Sequence, residues 1–95
     1  MKLVISHAAA ADLERLRLFL VGKNAEATQR AIAGLVGAIN SLTALPDRGR
    51  PSGVAGLRDL IVPFGKSAYV VRFEHNSAKQ EIIVMRIWHG REVRK

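Results

Sequence analysis

The hydrophobic pattern predicts an α+β domain, in which a helical hairpin packs on one face of a small, mainly antiparallel sheet. In the first half of the sequence, apolar residues recur at steps of three and four, which is typical of helices. In most of the second half they alternate with a period of two, which is typical of strands. A short apolar segment precedes the first helical pattern. We therefore expect the order strand, helix, helix, strand, strand, strand in one domain over residues 1–95.

The first strand and the first helix are separated by a capping residue. Lys2–Ser6 is expected to form the strand. The Ser6 hydroxyl can accept a hydrogen bond from the first turn of a helix over Ala8–Val21. Gly22 is expected to end that helix in the left-handed conformation. The helix carries an apolar stripe formed by Leu13, Leu16 and Leu20.

The second helix has the stronger helical pattern. Asn24 is its candidate N-cap, and the pattern runs from Ala25 to about Leu45, where Pro46 ends it. Gly34 and Gly37 each lower helix propensity by about 1 kcal/mol relative to alanine. We expect both glycines to let the first helix approach closely. Because so few residues separate the two helices, they are expected to form an antiparallel hairpin.

The second half of the chain is expected to form the rest of the sheet. A loop rich in glycine and proline, Asp47–Gly56, comes first. The predicted strands are Leu57–Val62, Ser67–Glu74 and Gln80–Trp88. The predicted hairpin turns are Pro63–Lys66 and Asn76–Lys79. The last strand is apolar on both parities, so we expect a central strand that is covered on both faces.

Composition excludes several classes of site. The sequence has no cysteine, which excludes disulfides and thiolate metal sites. Its three histidines, His7, His75 and His89, lack metal-ligand spacing, and no phosphate-binding loop motif is present, so we expect no metal and no cofactor. No apolar run approaches the roughly 18 residues that span a bilayer, and a cytoplasmic protein is expected. The net charge of +7 suggests a polyanion or an acidic protein as partner.

Short motifs follow one another along nearly the whole chain. They are Ala11-Asp12-Leu13, Leu42-x-x-Leu45-Pro46, Gly49-Arg50-Pro51, Gly56-Leu57-Arg58-Asp59-Leu60-Ile61-Val62, Tyr69-Val70-Val71-x-Phe73 and Ile83-Val84-Met85-Arg86-Ile87-Trp88-His89-Gly90-Arg91. In this order and spacing they resemble the RelE/ParE superfamily of toxins from type II toxin–antitoxin systems. The Gly-Arg-Pro element, the strand that begins at Gly56 and the His-Gly-Arg ending resemble the ParE-like branch more closely.

The resemblance implies a function and partners. ParE-like toxins inhibit DNA gyrase and so block replication and cell growth, whereas RelE-like toxins cleave mRNA on the ribosome. Both are neutralised in a hetero-oligomeric complex by a cognate antitoxin, here expected to be ParD-like with an acidic C-terminal segment. A RelE-like endoribonuclease is the alternative, although the chain departs from that pattern. It has no lysine between Lys23 and Lys66, and its only tyrosine, Tyr69, lies in a middle strand.

Three arginines interrupt the apolar strand patterns. Arg58, Arg72 and Arg86 are expected to share one face of the sheet with an exposed groove. A guanidinium group is suited to bind phosphate or carboxylate at such a place. The alternative for each is an arginine that pairs with a nearby carboxylate or is simply solvated.

The candidate site residues form three groups. Residues expected to bind the target are Arg58, Arg86, Trp88, His89, Arg91, Arg94 and Lys95. In a nuclease, Arg58, Arg86 and His89 would be catalytic, with His89 as general acid or base. Structural alternatives are an exposed His89 and a Trp88 at the edge of the core. Residues expected to bind the antitoxin are Leu13, Leu16, Leu20, Arg17 and Arg72.

Overall fold

The predicted element order is confirmed in the computed structural model, which describes residues 1–90. The elements are β1 (Lys2–Ile5), α1 (His7–Val21), α2 (Ala25–Ser41), β2 (Arg50–Pro51), β3 (Arg58–Phe64), β4 (Ser67–Asn76) and β5 (Glu81–His89). Together the two helices and the five-stranded mixed sheet form the expected α+β fold. Neither helix in residues 1–90 is long and apolar enough to cross a membrane.

Both predicted N-caps are confirmed. The Ser6 hydroxyl oxygen accepts a hydrogen bond of 3.0 Å from the backbone N–H of Ala9. The Asn24 side-chain oxygen accepts one of 3.0 Å from Ala27. Each side chain pairs an N–H group that the first turn of a helix leaves without a partner.

The predicted left-handed conformation of Gly22 is wrong. Gly22 ends α1 with a φ of −72°, which is an ordinary right-handed helical value. The backbone N–H groups of Lys23 and Asn24 both bond to the carbonyl oxygen of Leu20. Because the carbonyl oxygen of Leu20 already has these two partners, no left-handed residue is needed to pair it.

Helix α2 is shorter than predicted, and its glycines do not lie at a helix contact. The α-helix ends at Ser41, and the N–H groups of residues 42–44 bond to carbonyl oxygens three residues earlier, which tightens the backbone before the proline. A Cβ atom at Gly34 or Gly37 would meet no other atom within 4 Å. The expected close approach of α1 at these glycines is therefore wrong, since α2 turns Leu35 inward instead.

The strands are arranged in the order β1-β5-β4-β3-β2. Strand β1 runs parallel to β5, and the other neighbouring pairs are antiparallel. Strand β5 is therefore internal, as predicted. The helices cover one face of the sheet, which we call the inner face. The outer face carries Asp59, Ile61, Val70, Arg72, Ile83, Arg86 and Trp88.

A β-bulge explains why β5 is apolar on both parities. Phe73 pairs with Val84 and Arg72 pairs with Arg86, so Met85 is an extra residue in β5. A bulge shifts the alternation of side chains by one. Val84 and Ile87 are consequently both fully buried in the same core, although their parity differs. The expectation that β5 is covered on both faces is therefore wrong for residues 1–90.

Strand β2 fixes the loop that precedes β3 and is not among the predicted elements. Arg50 pairs with Asp59, and Pro51 pairs with Arg58. Gly49 has a φ of +86°, and a Cβ atom there would collide with the backbone carbonyl of Asp59. Only glycine suits such a crossing. A two-residue strand has too few positions to show a period of two in the sequence.

Candidate functional site

A chain of four charged side chains crosses the molecule from β3 to α1. We call Asp59, Arg72, Arg86 and Asp12 the charge ladder. Arg72 donates two hydrogen bonds to Asp59, of 2.9 and 3.2 Å. Arg86 donates two to Asp12, of 2.8 and 3.0 Å. Since Arg72 and Arg86 are register partners on adjacent strands, two like charges stand side by side, each balanced by its own carboxylate.

Asp12 is the most buried carboxylate of the ladder. Its side chain is 5% exposed, and it also accepts the backbone N–H of Ile87 at 2.8 Å. Burial raises the pKa of Asp12, but the hydrogen bonds from Arg86 and Ile87 outweigh it and hold that pKa below its ordinary value. Asp12 is therefore a carboxylate held in its charged form inside the protein.

The side chains of Ser6 and of α1 take the place of a strand along the end of β5. Strand β1 pairs with β5 only as far as Val84. Beyond it, the Ser6 hydroxyl donates to the carbonyl oxygen of Met85 at 3.0 Å. Asp12 accepts the N–H of Ile87, and Arg15 donates to the Ile87 carbonyl oxygen at 3.3 Å. Since these bonds occupy the backbone groups of β5, this part of the edge is closed to a further strand.

Trp88 lies beneath the arginine of β4. The guanidinium carbon of Arg72 is 5.0 Å from the centre of the Trp88 ring, within the range of a cation–π contact. Trp88 is 9% exposed, and it pairs with Val70 on the outer face. Of the three arginines expected to share a face, Arg72 and Arg86 do so, and Trp88 lies with them.

Arg58 does not belong to that cluster. Its register partner is Phe73, which is fully buried in the core on the inner face. Arg72, one residue earlier in β4, points the opposite way. The expectation that Arg58 shares a face with Arg72 and Arg86 is wrong, because Arg58 and Arg72 stand at positions of opposite parity in the paired strands.

Arg58 instead anchors the loop that precedes it. Its guanidinium group donates to the backbone carbonyl oxygens of Asp47, Arg48 and Gly49, at 3.0, 3.3 and 3.0 Å. An open groove beside it is also lined by His75, whose Nδ1 lies 3.1 Å from a carboxylate oxygen of Asp47. These contacts hold the loop against the end of the sheet.

His89 lies at the other end of the inner face. It pairs with Tyr69, and the two rings meet edge to face with their centres 5.3 Å apart. Tyr69 belongs to the buried core. In register, Arg58 lies beside Phe73, four residues further along β4, which is a displacement of roughly 13 Å along the strand. Arg86 is on the opposite face, so the three proposed nuclease residues do not converge.

The predicted antitoxin-binding stripe on α1 is largely part of the core. Leu16 is 3% exposed and is a core residue, so its assignment to a docking surface is wrong. Leu13 and Leu20 are partly buried against the same core. Arg17 is at the surface, where it pairs with Glu14 at 3.0 Å. The large apolar residues that α1 does expose are Leu18, Phe19 and Val21.

Two important residues, Asp12 and Asp59, are absent from the predicted site. For Asp12 the sequence does contain a signal. It follows Ala9 by three positions and precedes Leu16 by four, so helical spacing places it on the buried side of α1. For Asp59 the pairing depends on the register of β3 and β4.

Three of the predicted target-binding residues, Arg91, Arg94 and Lys95, lie outside the described residues. Within residues 1–90, no cluster of three or more acidic or histidine side chains is placed to hold a metal ion.

Comparisons with known proteins agree with this fold. Residues 3–94 match the family model described as the ParE toxin of the type II toxin–antitoxin system parDE. The chain is 40% identical over 91 residues to Toxin RelE1 of Caulobacter vibrioides, a match that covers 96% of this chain and 95% of that protein. It is also similar to a solved structure described as the chromosomal ParDE TA system from P. aeruginosa, with a TM-score of 0.74 and 28% identity over 94% of this chain and 95% of the other.

Proposed function

The chain belongs to the ParE toxin family of type II toxin–antitoxin systems, and from that membership we propose that it inhibits DNA gyrase and so blocks replication. The toxin would act by binding and would carry out no covalent chemistry of its own. Arg86 and Trp88, which lie together on the outer face, are the proposed target contacts among the described residues. Arg58 and His89, which the sequence also suggests as target contacts, are not included because they lie on the inner face.

The observation that carries the proposal is the separation of the candidate catalytic residues. RNA cleavage needs a base near the attacking hydroxyl and cations near the phosphate, all around one reacting centre. Arg86 is on the outer face and His89 on the inner face, while Arg58 is bound to backbone carbonyl groups at the far end of the sheet. This arrangement favours a binding function over a nuclease.

We also propose a ParD-like antitoxin with an acidic binding segment as the partner. The related P. aeruginosa structure is described as a ParDE system. The net charge of +7 on this chain favours association with an acidic segment. Leu18, Phe19 and Val21 offer exposed apolar surface on α1 for such a partner.

A RelE-like, ribosome-dependent endoribonuclease is the second candidate function. It is favoured by the name of the relative from C. vibrioides, Toxin RelE1. In that case Arg58, Arg86 and His89 would be the catalytic residues. They would have to be brought together by a rearrangement on the ribosome.

One two-arm experiment distinguishes the candidates. Purified protein is added to gyrase with DNA, and separately to ribosomes programmed with mRNA. We expect lost supercoiling or trapped gyrase–DNA complexes, with intact mRNA. Cleaved mRNA together with unaffected gyrase would establish the alternative. Heat-denatured protein is the control in both arms.

A further inference from the structure

The edge of the sheet at β2 carries three arginines that no carboxylate neutralises. Within residues 1–90, Arg48, Arg50 and Arg58 form no ion pair, whereas every other described arginine pairs with an aspartate or a glutamate. All three lie in residues 46–58, which we call the arginine loop. Asp47 is its only acidic residue, so the loop has a net charge of +2. The arginines that keep their full charge are therefore gathered in one segment.

The arginine loop holds these cations in defined places on both sides of the sheet edge. Arg58 donates hydrogen bonds to the backbone carbonyl oxygens of residues 47–49, which ties the loop to β3. Arg50 pairs in register with Asp59, an outer-face residue, whereas Arg58 lies on the inner face. Because the loop backbone is held by these bonds, little backbone freedom is lost when a partner binds.

A phosphate backbone suits this loop better than a segment of protein does. Cations without a carboxylate partner are the groups that displace counterions from nucleic acid. Residues 46–58 contain no aromatic residue, so the loop offers neither the anchors typical of protein interfaces nor a platform on which single-stranded bases stack. At Gly53 and Gly56 the space beside the Cα atom is open, so a sugar–phosphate strand can approach the loop backbone.

We propose that the arginine loop binds the phosphate backbone of double-stranded DNA, through Arg48, Arg50 and Arg58. Contacts to phosphate carry no sequence information, so the binding is independent of sequence. This inference goes beyond the proposed function, because it requires DNA and not gyrase. Together with the proposed target contacts Arg86 and Trp88, it describes a toxin that touches both gyrase and the DNA that gyrase holds.

The test removes two cations from the loop and, as a matched control, two from the helices. The loop variant combines Arg48→Gln with Arg50→Gln. The control combines Arg17→Gln with Arg30→Gln, two exposed arginines that pair with glutamates of their own helices. Both variants lose the same net charge, so the general attraction of a basic protein to DNA falls equally in both.

A further variant and a folding check keep the test independent of loop stability. Arg48 donates a hydrogen bond to the Ser41 hydroxyl at the end of α2, so its loss could disturb the loop. Arg50→Gln alone avoids this and decides the matter if the double variant is unfolded in a thermal melt. Fluorescence anisotropy of a labelled DNA duplex measures the dissociation constant between about 50 and 200 mM salt. A single-stranded RNA of the same sequence is the second probe.

We expect the loop variant to bind the duplex at least about tenfold more weakly than the wild type at the lowest salt. Its slope of log affinity against log salt should be smaller in magnitude by about 1.8, since each lost phosphate contact removes about 0.9. Arg50→Gln should remove about half of that slope change. The control should stay within about threefold of the wild type, because its charges lie away from the loop and are screened.

Equal affinities of the folded loop variant and the control would overturn the inference. Tighter binding of the single-stranded RNA than of the duplex by the wild-type protein would overturn it too, as would the absence of duplex binding at the lowest salt. These outcomes are distinct from a failure of the proposed function, which is judged by gyrase inhibition with the wild-type protein.

Discussion

The two surfaces proposed for protein partners, the outer face of the sheet and the end of α1, are built in opposite ways. On the outer face, the arginines are fixed by buried carboxylates and one of them covers a tryptophan. At the end of α1, Leu18 and Phe19 are 56% and 63% exposed. We therefore expect the outer face to contribute both to stability and to recognition, and the end of α1 to contribute to recognition alone. Substitutions should separate the two.

The largest expected effect is at Asp12. Asp12→Ala leaves the N–H of Ile87 and the guanidinium of Arg86 without their acceptor, which should lower the free energy of unfolding by about 2–3 kcal/mol. Because Arg86 is 44% exposed, water screens part of that ion pair. Most of the loss therefore comes from the Ile87 N–H, which is left without its acceptor where α1 packs on β5. Urea unfolding measures the change. Glu14→Ala, which removes an exposed acid from the same helix, should have no measurable effect. Equal stability of the two variants would contradict the structural role of the ladder.

A smaller loss is expected at the other end of the ladder. Asp59→Ala removes both acceptors of Arg72, whose side chain is 17% exposed and has partial access to water. The free energy of unfolding should fall by about 1–2 kcal/mol. The contact between Arg72 and Trp88 should loosen as well, which tryptophan fluorescence detects. Unchanged fluorescence and stability would show that Asp59 does not hold Arg72.

The pH dependence of stability should reveal Asp12. Its pKa is lower in the folded protein than its ordinary value of 3.8. The unfolded chain therefore takes up a proton more readily than the folded protein does. The stability from Asp12 is fully present above about pH 5 and is lost as pH falls through 3.8 toward the folded pKa. Asp12→Asn should lose less stability over that acidic range. Parallel pH profiles for the two proteins would contradict the assignment.

The smallest effect on stability is expected at the end of α1. Phe19 is exposed, and its described contact is with the ammonium group of Lys23, 4.8 Å from the ring centre. Phe19→Ala should change the free energy of unfolding by less than about 0.5 kcal/mol. The same variant should bind the antitoxin more weakly. A stability loss as large as that of Asp12→Ala would show that the two surfaces do not differ as described.

Local patterns predict the fold well, but they do not predict the pairing of charges. Both N-caps depend on a side chain and an amide three residues away, so the sequence contains all the necessary information. The ladder joins Asp12 to Arg86, which are 74 positions apart. That contact exists only because β1 ends early and α1 runs along β5. The bulge at Met85 likewise arises from strand register, which the alternation of side chains does not specify.

The candidate site was predictable only in part, because strand register decides which of these side chains meet. Arg72 and Arg86 interrupt apolar strands, which indicated a shared face, and both lie on the outer face. Arg58 shows the same pattern and lies elsewhere, because Gly49 and β2 bring backbone carbonyl groups within its reach. Exposure of Leu18 and Phe19 in place of Leu16 depends on how α1 is rotated against the core.

The most direct test of a binding toxin is gyrase inhibition by the His89→Ala variant. His89 is the proposed acid or base of the nuclease alternative, and it lies on the face opposite Arg86. With folding verified by circular dichroism, the variant should inhibit supercoiling at the same concentration as the wild-type protein and leave ribosome-bound mRNA intact. Loss of toxicity in a folded His89→Ala protein, with mRNA cleavage by the wild type alone, would contradict a gyrase-binding function.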